Sequence, residues 1–274
     1  MRLAAILFVA LAAVPLSAAE RARYLMGTVC AVAVDGPDAE AQIEAAFAEA
    51  KRVEAMLSTW TEESELARVN RGAEPSPELR ALLDATIAWS NKTQRAFDPR
   101  IRHLIVRDGS SRPMGGGFEE GAFGKGYAID RMLAKIDAPN ALIDFGGQLG
   151  VRGTLRVTIA DPKHRHKPVL ALTLNDGSLS TSSSSEQQHI LDPRTGELLP
   201  ARGSVSVIAD DALTADILST ALYVMGEDDG LRWADANGVA AIFINPANHI
   251  RLSAAARERV RAPEVIDRNF AMRE

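Results

Sequence analysis

Residues 115–130 read GGGFEEGAFGKGYAID, a glycine-rich run that carries one lysine and leads into a helix-like stretch. Glycines free backbone amides, Lys125 adds positive charge, and a helix N-terminus begins here, so the place suits an anion. A nucleotide-type phosphate loop requires G-x4-G-K-[ST]. Glu119 stands where its first glycine would be, and Gly126 follows Lys125 where Ser or Thr belongs. That loop type is excluded. An anion site of another kind, or a flexible turn with a surface lysine, remains.

Three further stretches could carry chemistry. In Ala215-Asp216-Ile217-Leu218-Ser219-Thr220, helical spacing puts Asp216, Ser219 and Thr220 on one face. One carboxylate with hydroxyls is hard-oxygen ligation, suited to Mg2+ and poor for zinc. The competing reading is an N-cap aspartate with helix hydroxyls bonding backwards. His189-Ile190-Leu191-Asp192-Pro193-Arg194-Thr195-Gly196 places a histidine before a turn-forming Asp-Pro-Arg-Thr-Gly; His189 is either a base or a structural side chain. Phe97-Asp98-Pro99 and Ile143-Asp144-Phe145-Gly146-Gly147 each set a carboxylate beside a turn, which is not diagnostic.

The elements that must position these residues follow from periodicity. Residues 28–34 (TVCAVAV) read as a strand, and residues 38–57 place Ile43, Phe47, Ala50, Val53 and Leu57 on one helical face. Ser76-Pro77 opens a second helix with Leu79, Leu82, Leu83 and Ile87 as its apolar stripe. Ile129, Met132, Leu133 and Ile136 mark a third helix after the glycine-rich loop. Strand-like runs at 141–145, 155–160, 169–174 and 204–209, a helix at 212–225 and a strand at 239–244 complete the pattern. Strands cluster in the second half instead of alternating with helices, which predicts an α+β fold over a doubly wound sheet. The serine-rich 180–185 is the one low-complexity stretch, and the last twenty residues read as a charged, loose tail.

Composition narrows the class. The 274-residue chain carries a net charge of −5 and only 5% aromatics, so a basic nucleic-acid surface is not expected. The cationic run Lys163-His164-Arg165-His166-Lys167 lies between two strand-like runs and reads as a solvated hairpin loop, the alternatives being a phosphate or metal site. Arg2, an apolar run over 3–14 and the small residues Ser17-Ala18-Ala19 make a secretory signal peptide over residues 1–19, too short to span a membrane. The alternative is a buried N-terminal helix. No cysteine follows the apolar run, so a lipid anchor is not expected. Cys30 is the one cysteine, which excludes an internal disulfide.

The order of the motifs is more specific than any one of them. Met26-Gly27-Thr28, Leu57-Ser58-Thr59-Trp60, Ser64-Glu65-Leu66 with Asn70, Ala96-Phe97-Asp98-Pro99, Ala122–Asp130, Phe145-Gly146-Gly147, Ser180-Thr181-Ser182, His189–Gly196 and Ala215-Asp216 with Thr220 follow one another along residues 24–245. This succession resembles the ApbE family of FAD:protein FMN transferases. The resemblance implies a T-fold-like, mixed or antiparallel sheet with packed helices in one compact domain, residues 20–274. It implies Mg2+-dependent transfer of FMN from FAD to a Thr or Ser hydroxyl of a target flavoprotein, with AMP released, in the periplasm. Position by position, Met26, Trp60, Ala96, Phe97, Asp98, Glu119, Lys125 and Ile190 fall where the family contacts FAD. Ala122, through its carbonyl, Asp216, Thr220 and Ser219 fall at the metal; His189 matches the base, and Asp216 completes the catalytic pair. The family usually has Asp at Glu119 and Ala at Gly124, has glycine and tyrosine within the serine-rich run, and has a longer segment between Asp98 and Lys125. Two other functions fit the same motifs: an FAD-binding protein, or Mg2+-dependent hydrolysis of FAD to FMN and AMP.

Overall fold

The computed structural model describes residues 18–101, 116–183 and 190–273. Most of residues 1–19 and the 102–115 part of the shortened segment therefore lie outside the described residues. Strands β1 (Ala18–Leu25), β2 (Thr28–Asp35), β3 (Ala141–Phe145), β4 (Gln148–Ala160), β5 (Pro168–Ser183), β6 (Ser204–Ala209), β7 (Ala240–Ile244), β8 (His249–Leu252) and β10 (Ala271–Met272) form one sheet in that order, and β9 (Arg261–Val265) pairs with β5. Neighbours run antiparallel except β8 and β10, which are parallel. The mixed, mainly antiparallel sheet with packed helices is the α+β architecture expected.

Period-two alternation sends side chains to opposite faces. Val32, Ile143, Val207 and Phe243 join the helices in one core. Leu149, Ile208, Ile242 and Ile244 join a second core on the other face. On the first face lie α1 (Ala39–Leu57), α4 (Gly124–Leu133) and α5 (Ala212–Met225). Ile43, Phe47, Ala50, Val53 and Leu57 of α1 are all fully buried, as their spacing predicts. The helix α3 (Pro77–Lys92) starts at Ser76, whose hydroxyl accepts the Leu79 N–H, with Pro77 in its first turn.

Strands β4 and β5 are longer than the runs 155–160 and 169–174, and β5 absorbs Ser180–Ser183 of the serine-rich stretch. Their ladder breaks between Val151 and Thr154, where Asp176 and Gly177 adopt positive φ. Such a bulge bends the pair sharply. Beyond it, Val157, Ile159, Leu170 and Leu172 pack with Ile208, Ile242 and Leu252, so the distal half of the hairpin lies across the second face.

The loose C-terminal tail is corrected. After α7 (Ala254–Arg259), β9 pairs with β5 and β10 with β8, Ile266 N–H donates to Val169 O, and Phe270 is buried in the second core. Arg257, Glu258, Arg259, Glu264 and Arg268 occupy exposed positions while Val260, Val265 and Phe270 anchor the segment. The helix α6 (Glu227–Asn237) was also not read from the sequence; it ends at Gly238 in the left-handed region.

The crossing of α4 and α5 is set by Gly126. A Cβ there would lie 2.4 Å from Ala212 O and 2.7 Å from the Asp216 Cβ, so backbone meets backbone only because the side chain is absent. Three N–H groups at the start of α5 have no helical partner. Asp130 of α4 accepts those of Ala212 and Leu213 at 2.7 and 2.9 Å, and Asp211 takes that of Thr214 at 2.7 Å. Two outcomes follow. Gly126→Ala should lower stability by about 1–3 kcal/mol in urea unfolding through overpacking; an unchanged midpoint would remove Gly126 from this role. Burial raises the Asp130 carboxyl from 3.8 to about 6, against the two amide hydrogen bonds that lower it. A carboxyl raised in the folded state contributes stability that is full below 3.8 and lost as pH rises through about 6. Urea melts should show wild-type stability, relative to Asp130→Asn, falling over that window, and a flat difference would contradict the shift.

Candidate active site

Asp216 sits in the second turn of α5 and is 2% exposed. Its Oδ2 accepts the Gly126 N–H at 2.9 Å and its Oδ1 the Gln148 Nε2–H at 2.5 Å. Burial pushes its carboxyl up; the Lys125 charge, the Gly126 amide and the Gln148 amide pull it down, and burial dominates. Gln148 is itself buried, and its Oε1 has no hydrogen-bond partner among the described residues. Asp216 is thus a desolvated carboxylate fixed on three sides by α4, β4 and its own helix. It is not the N-cap of α5, a place taken by Asp211.

Hydroxyls gather beside it. Ser219 donates to Asp216 O at 3.0 Å, the backward bond expected of a helix serine, and its Oγ lies 3.1 Å from Ser180 Oγ and 2.9 Å from Ser182 Oγ. Ser182 Oγ is 3.3 Å from Thr220 Oγ1. The first part of the serine-rich stretch is therefore a strand whose alternate hydroxyls, Ser180 and Ser182, meet α5. All donors here are hard oxygens, a set that fits Mg2+. Among the described residues, no group of three or more His, Cys, Asp or Glu is placed to hold a metal ion, so such a site rests on one carboxylate with neutral oxygens.

The glycine-rich loop links this centre to the other candidates. A short 3-10 turn, Glu120–Ala122, leads into α4, with Ala122 and Lys125 half-buried and Gly124 buried. A Cβ on Gly124 would lie 3.2 Å from Glu120 Cβ and 3.3 Å from Met26 Cε. The alanine usual to the family would need those neighbours to give by a few tenths of an ångström. Met26, at a φ of 45°, donates its N–H to Glu54 Oε1 at 2.6 Å. Thr59 Oγ1 bridges the carboxylates of Glu119 (3.1 Å) and Glu120 (2.7 Å). Its neighbour Trp60 is 68% exposed.

Glu119 N–H donates to Pro99 O at 2.8 Å, joining the 96–99 segment to the loop. Asp98 is buried, which pushes its carboxyl up, but the Arg100 side chain and N–H and the Arg95 guanidinium outweigh this and hold it below the usual range. Ala96 and Phe97 are fully within the helix-side core, where their side chains pack. Ile190 packs at the edge of the same core and accepts the Leu199 N–H at 2.9 Å. Asp192 closes the turn after it, accepting from Arg194 N, Nε and Nη2 and, through its carbonyl, from Gly196 N. His189 lies outside the described residues.

The structure thus brings Ala122, Lys125, Asp216, Ser219 and Thr220 to the meeting of α4 and α5, with Met26, Glu119, Trp60 and Asp98 linked along the loop. Gln148, Thr59 and Asp130 were not assigned roles from sequence. Asp130 closes the Ala122–Asp130 motif and Gln148 directly follows the Gly146-Gly147 turn, and neither carries a chemical signature of its own. An open groove of about 590 Å3 bounded by Arg202, Glu227, Asp228, Asp229, Arg232 and Pro246 contains none of these residues.

The sequence pattern of the ApbE family matches residues 26–114 and 116–243. A FAD:protein FMN transferase of Treponema pallidum (strain Nichols) is 29% identical over 332 aligned residues, covering 92% of this chain and 90% of the relative. One from Klebsiella pneumoniae (strain 342) is 28% identical over 85% of this chain and 87% of its own. Two solved structures share the fold: the ApbE protein of Thermotoga maritima (TM-score 0.78, 24% identity, 89% of this chain and 100% of that one) and the flavinyl transferase ApbE of Pseudomonas stutzeri (TM-score 0.77, 23% identity, 90% and 98%). With the match running through both the glycine-rich loop and the Asp216 helix, this chain belongs to the ApbE family.

Proposed function

We propose that the chain transfers FMN from FAD to a Thr or Ser hydroxyl of a target flavoprotein and releases AMP, with Mg2+ held by Asp216, Thr220, Ser219 and the Ala122 carbonyl. The observation that carries the reading is Asp216: a fully buried carboxylate, aimed by Gly126 and Gln148, on which the Lys125 charge acts. A divalent cation supplies charge stabilisation on the pyrophosphate oxygens as negative charge builds there.

The residues divide the remaining work. The acceptor oxygen bonds to the FMN phosphorus, the bond to the bridging oxygen breaks, and AMP leaves with that oxygen. Lys125, half-buried at the start of α4, holds the phosphate charge, and the glycine-rich turn lets backbone approach it. The exposed Trp60 ring, with Met26 and the Asp98–Glu119 corner, supports FAD contact beyond the phosphates. His189 takes the hydroxyl proton in this reading, imidazole being the side chain most often used as a general base. The export signature of residues 2–19 supports a reaction outside the cytoplasm, in the periplasm.

Incubation with FAD, Mg2+ and a candidate acceptor should yield acceptor heavier by one FMN, together with AMP. AMP without modified acceptor, using an acceptor proven with a relative, would establish hydrolysis instead; bound FAD without turnover would establish a binding protein. Asp216→Ala should reduce metal-dependent turnover by about 100-fold or more, and intact turnover would remove the metal site. Gln148→Leu should weaken Mg2+ binding, read by titration calorimetry without FAD, by about 10- to 100-fold, the effect typical of a lost ligand-orienting partner. Equal Mg2+ affinity in that variant would show that Gln148 does not orient Asp216.

A further inference from the structure

The distal tip of the β4–β5 hairpin is the run Lys163-His164-Arg165-His166-Lys167, every side chain of which is exposed. As expected from sequence it is a hairpin loop, but it is not a loose one. Asp161 N–H donates to Lys167 O at 2.8 Å, Lys167 N–H to His164 O at 2.8 Å, and the Asp161 carboxylate takes Lys163 N–H at 2.7 Å and meets His164 Nδ1 at 2.9 Å. Five consecutive basic side chains are therefore presented on a fixed turn in a chain whose net charge is −5.

The bulge at Val151–Thr154 decides where that turn goes. A straight hairpin would carry the tip away from the sheet; the bent one lays it back across the second face. Lys163 Nζ donates to Pro246 O at 2.9 Å, after the end of β7, and a Cβ on Gly147 would lie 3.6 Å from Arg165 Nη2. Gly147 precedes Gln148, the residue that holds Asp216. The register places Gln148 opposite Ser180, near the end of β5, and Ser183 at that end opposite Ser204, itself opposite Ile244, so the start of β4 and the end of β7 belong to one end of the sheet. The basic tip thus reaches from β4 to β7 along the end of the sheet that borders the site, on the face opposite α4 and α5.

That placement separates two anions. The FAD phosphates, in the reading above, meet Lys125 on the helix face. A protein that brings a hydroxyl to the same centre must cover its rim, and the tip supplies positive charge there. We propose that Lys163–Lys167 is a docking point for an acidic patch on the acceptor flavoprotein, steering its approach and lowering its KM. The inference rests on the transferase reading.

The test is the full-length protein carrying Lys163→Glu with Lys167→Glu, and separately Arg165→Gln, assayed against an acceptor that the wild type modifies. At low ionic strength the acceptor KM should rise on the order of 10-fold for the double variant, with the KM for FAD and the thermal midpoint unchanged. The difference should shrink as salt shortens the screening length below about 10 Å. An unchanged acceptor KM at low salt overturns the proposal, as does an equal rise in the KM for FAD. It is also overturned if the acceptor KM is unaltered while sedimentation shows that the variant loses self-association, or while binding to anionic phospholipid vesicles is lost. A wild type that modifies no acceptor would instead count against the transferase reading, so the two failures are distinguishable.

Discussion

The architecture of the site turns on the contact between the first turn of α4 and the first turns of α5. Gly126 lets the two backbones meet, and the Gly126 N–H reaches Asp216 while Asp130, one turn further along α4, caps α5. The two helices are thus joined twice, each time by a carboxylate accepting backbone N–H. A buried carboxylate is costly unless its lone pairs are satisfied, so each bond that orients Asp216 also makes its burial tolerable. The positive end of the α5 dipole lies nearer Asp130 and Asp211 than Asp216. Asp216 is left with Lys125 as its named opposing charge, which keeps a strong electrostatic demand at the point where the ligand chemistry is proposed.

Gln148 extends this constraint into the sheet. Its amide can face Asp216 only because Gly146 and Gly147, at φ of 68° and 90°, turn the chain tightly between β3 and β4. The next pair in register, Gln148 with Ser180, brings the β5 hydroxyls level with α5. Sheet register, and not loop geometry, therefore sets the spacing between the carboxylate and its hydroxyl neighbours, which favours precision at the site.

What the sequence made legible was what local rules govern. The apolar stripes of α1 and α3, the Ser76 cap, the strands at 141–145 and 204–209 and the Asp192 turn needed only periodicity and cap or turn chemistry. The α+β class followed from strand clustering. Other features depended on pairing across long separations. Ser180–Ser183 read only as part of a low-complexity stretch with no strand pattern, yet neighbours β4 and β6 enforce extension. The last twenty residues looked loose because charge dominates them, yet Val265 and Phe270 find a second core that no local window reveals. Asp130 is an ordinary residue inside one motif and Gln148 an ordinary residue just past another; their partners stand 82 and 68 positions away. Asp216 and Lys125 were legible as a site only through motif order.

The same bulge that makes β4 and β5 hard to read also carries the basic tip back to the end of the sheet. A long antiparallel hairpin left straight would expose both of its faces; bent at Gly153 and Asp176, it buries Val157, Ile159, Leu170 and Leu172 and closes the second core. Hydrophobic closure alone would be satisfied by any polar tip. Lysine, arginine and histidine side chains at all five tip positions add nothing to that core; Asp161 is the carboxylate bonded into the turn itself, and the Arg165 charge acts on Asp144. The bend is thus explained by the core, while the charge it delivers to the end of the sheet is what the proposed docking of an acidic acceptor surface would use.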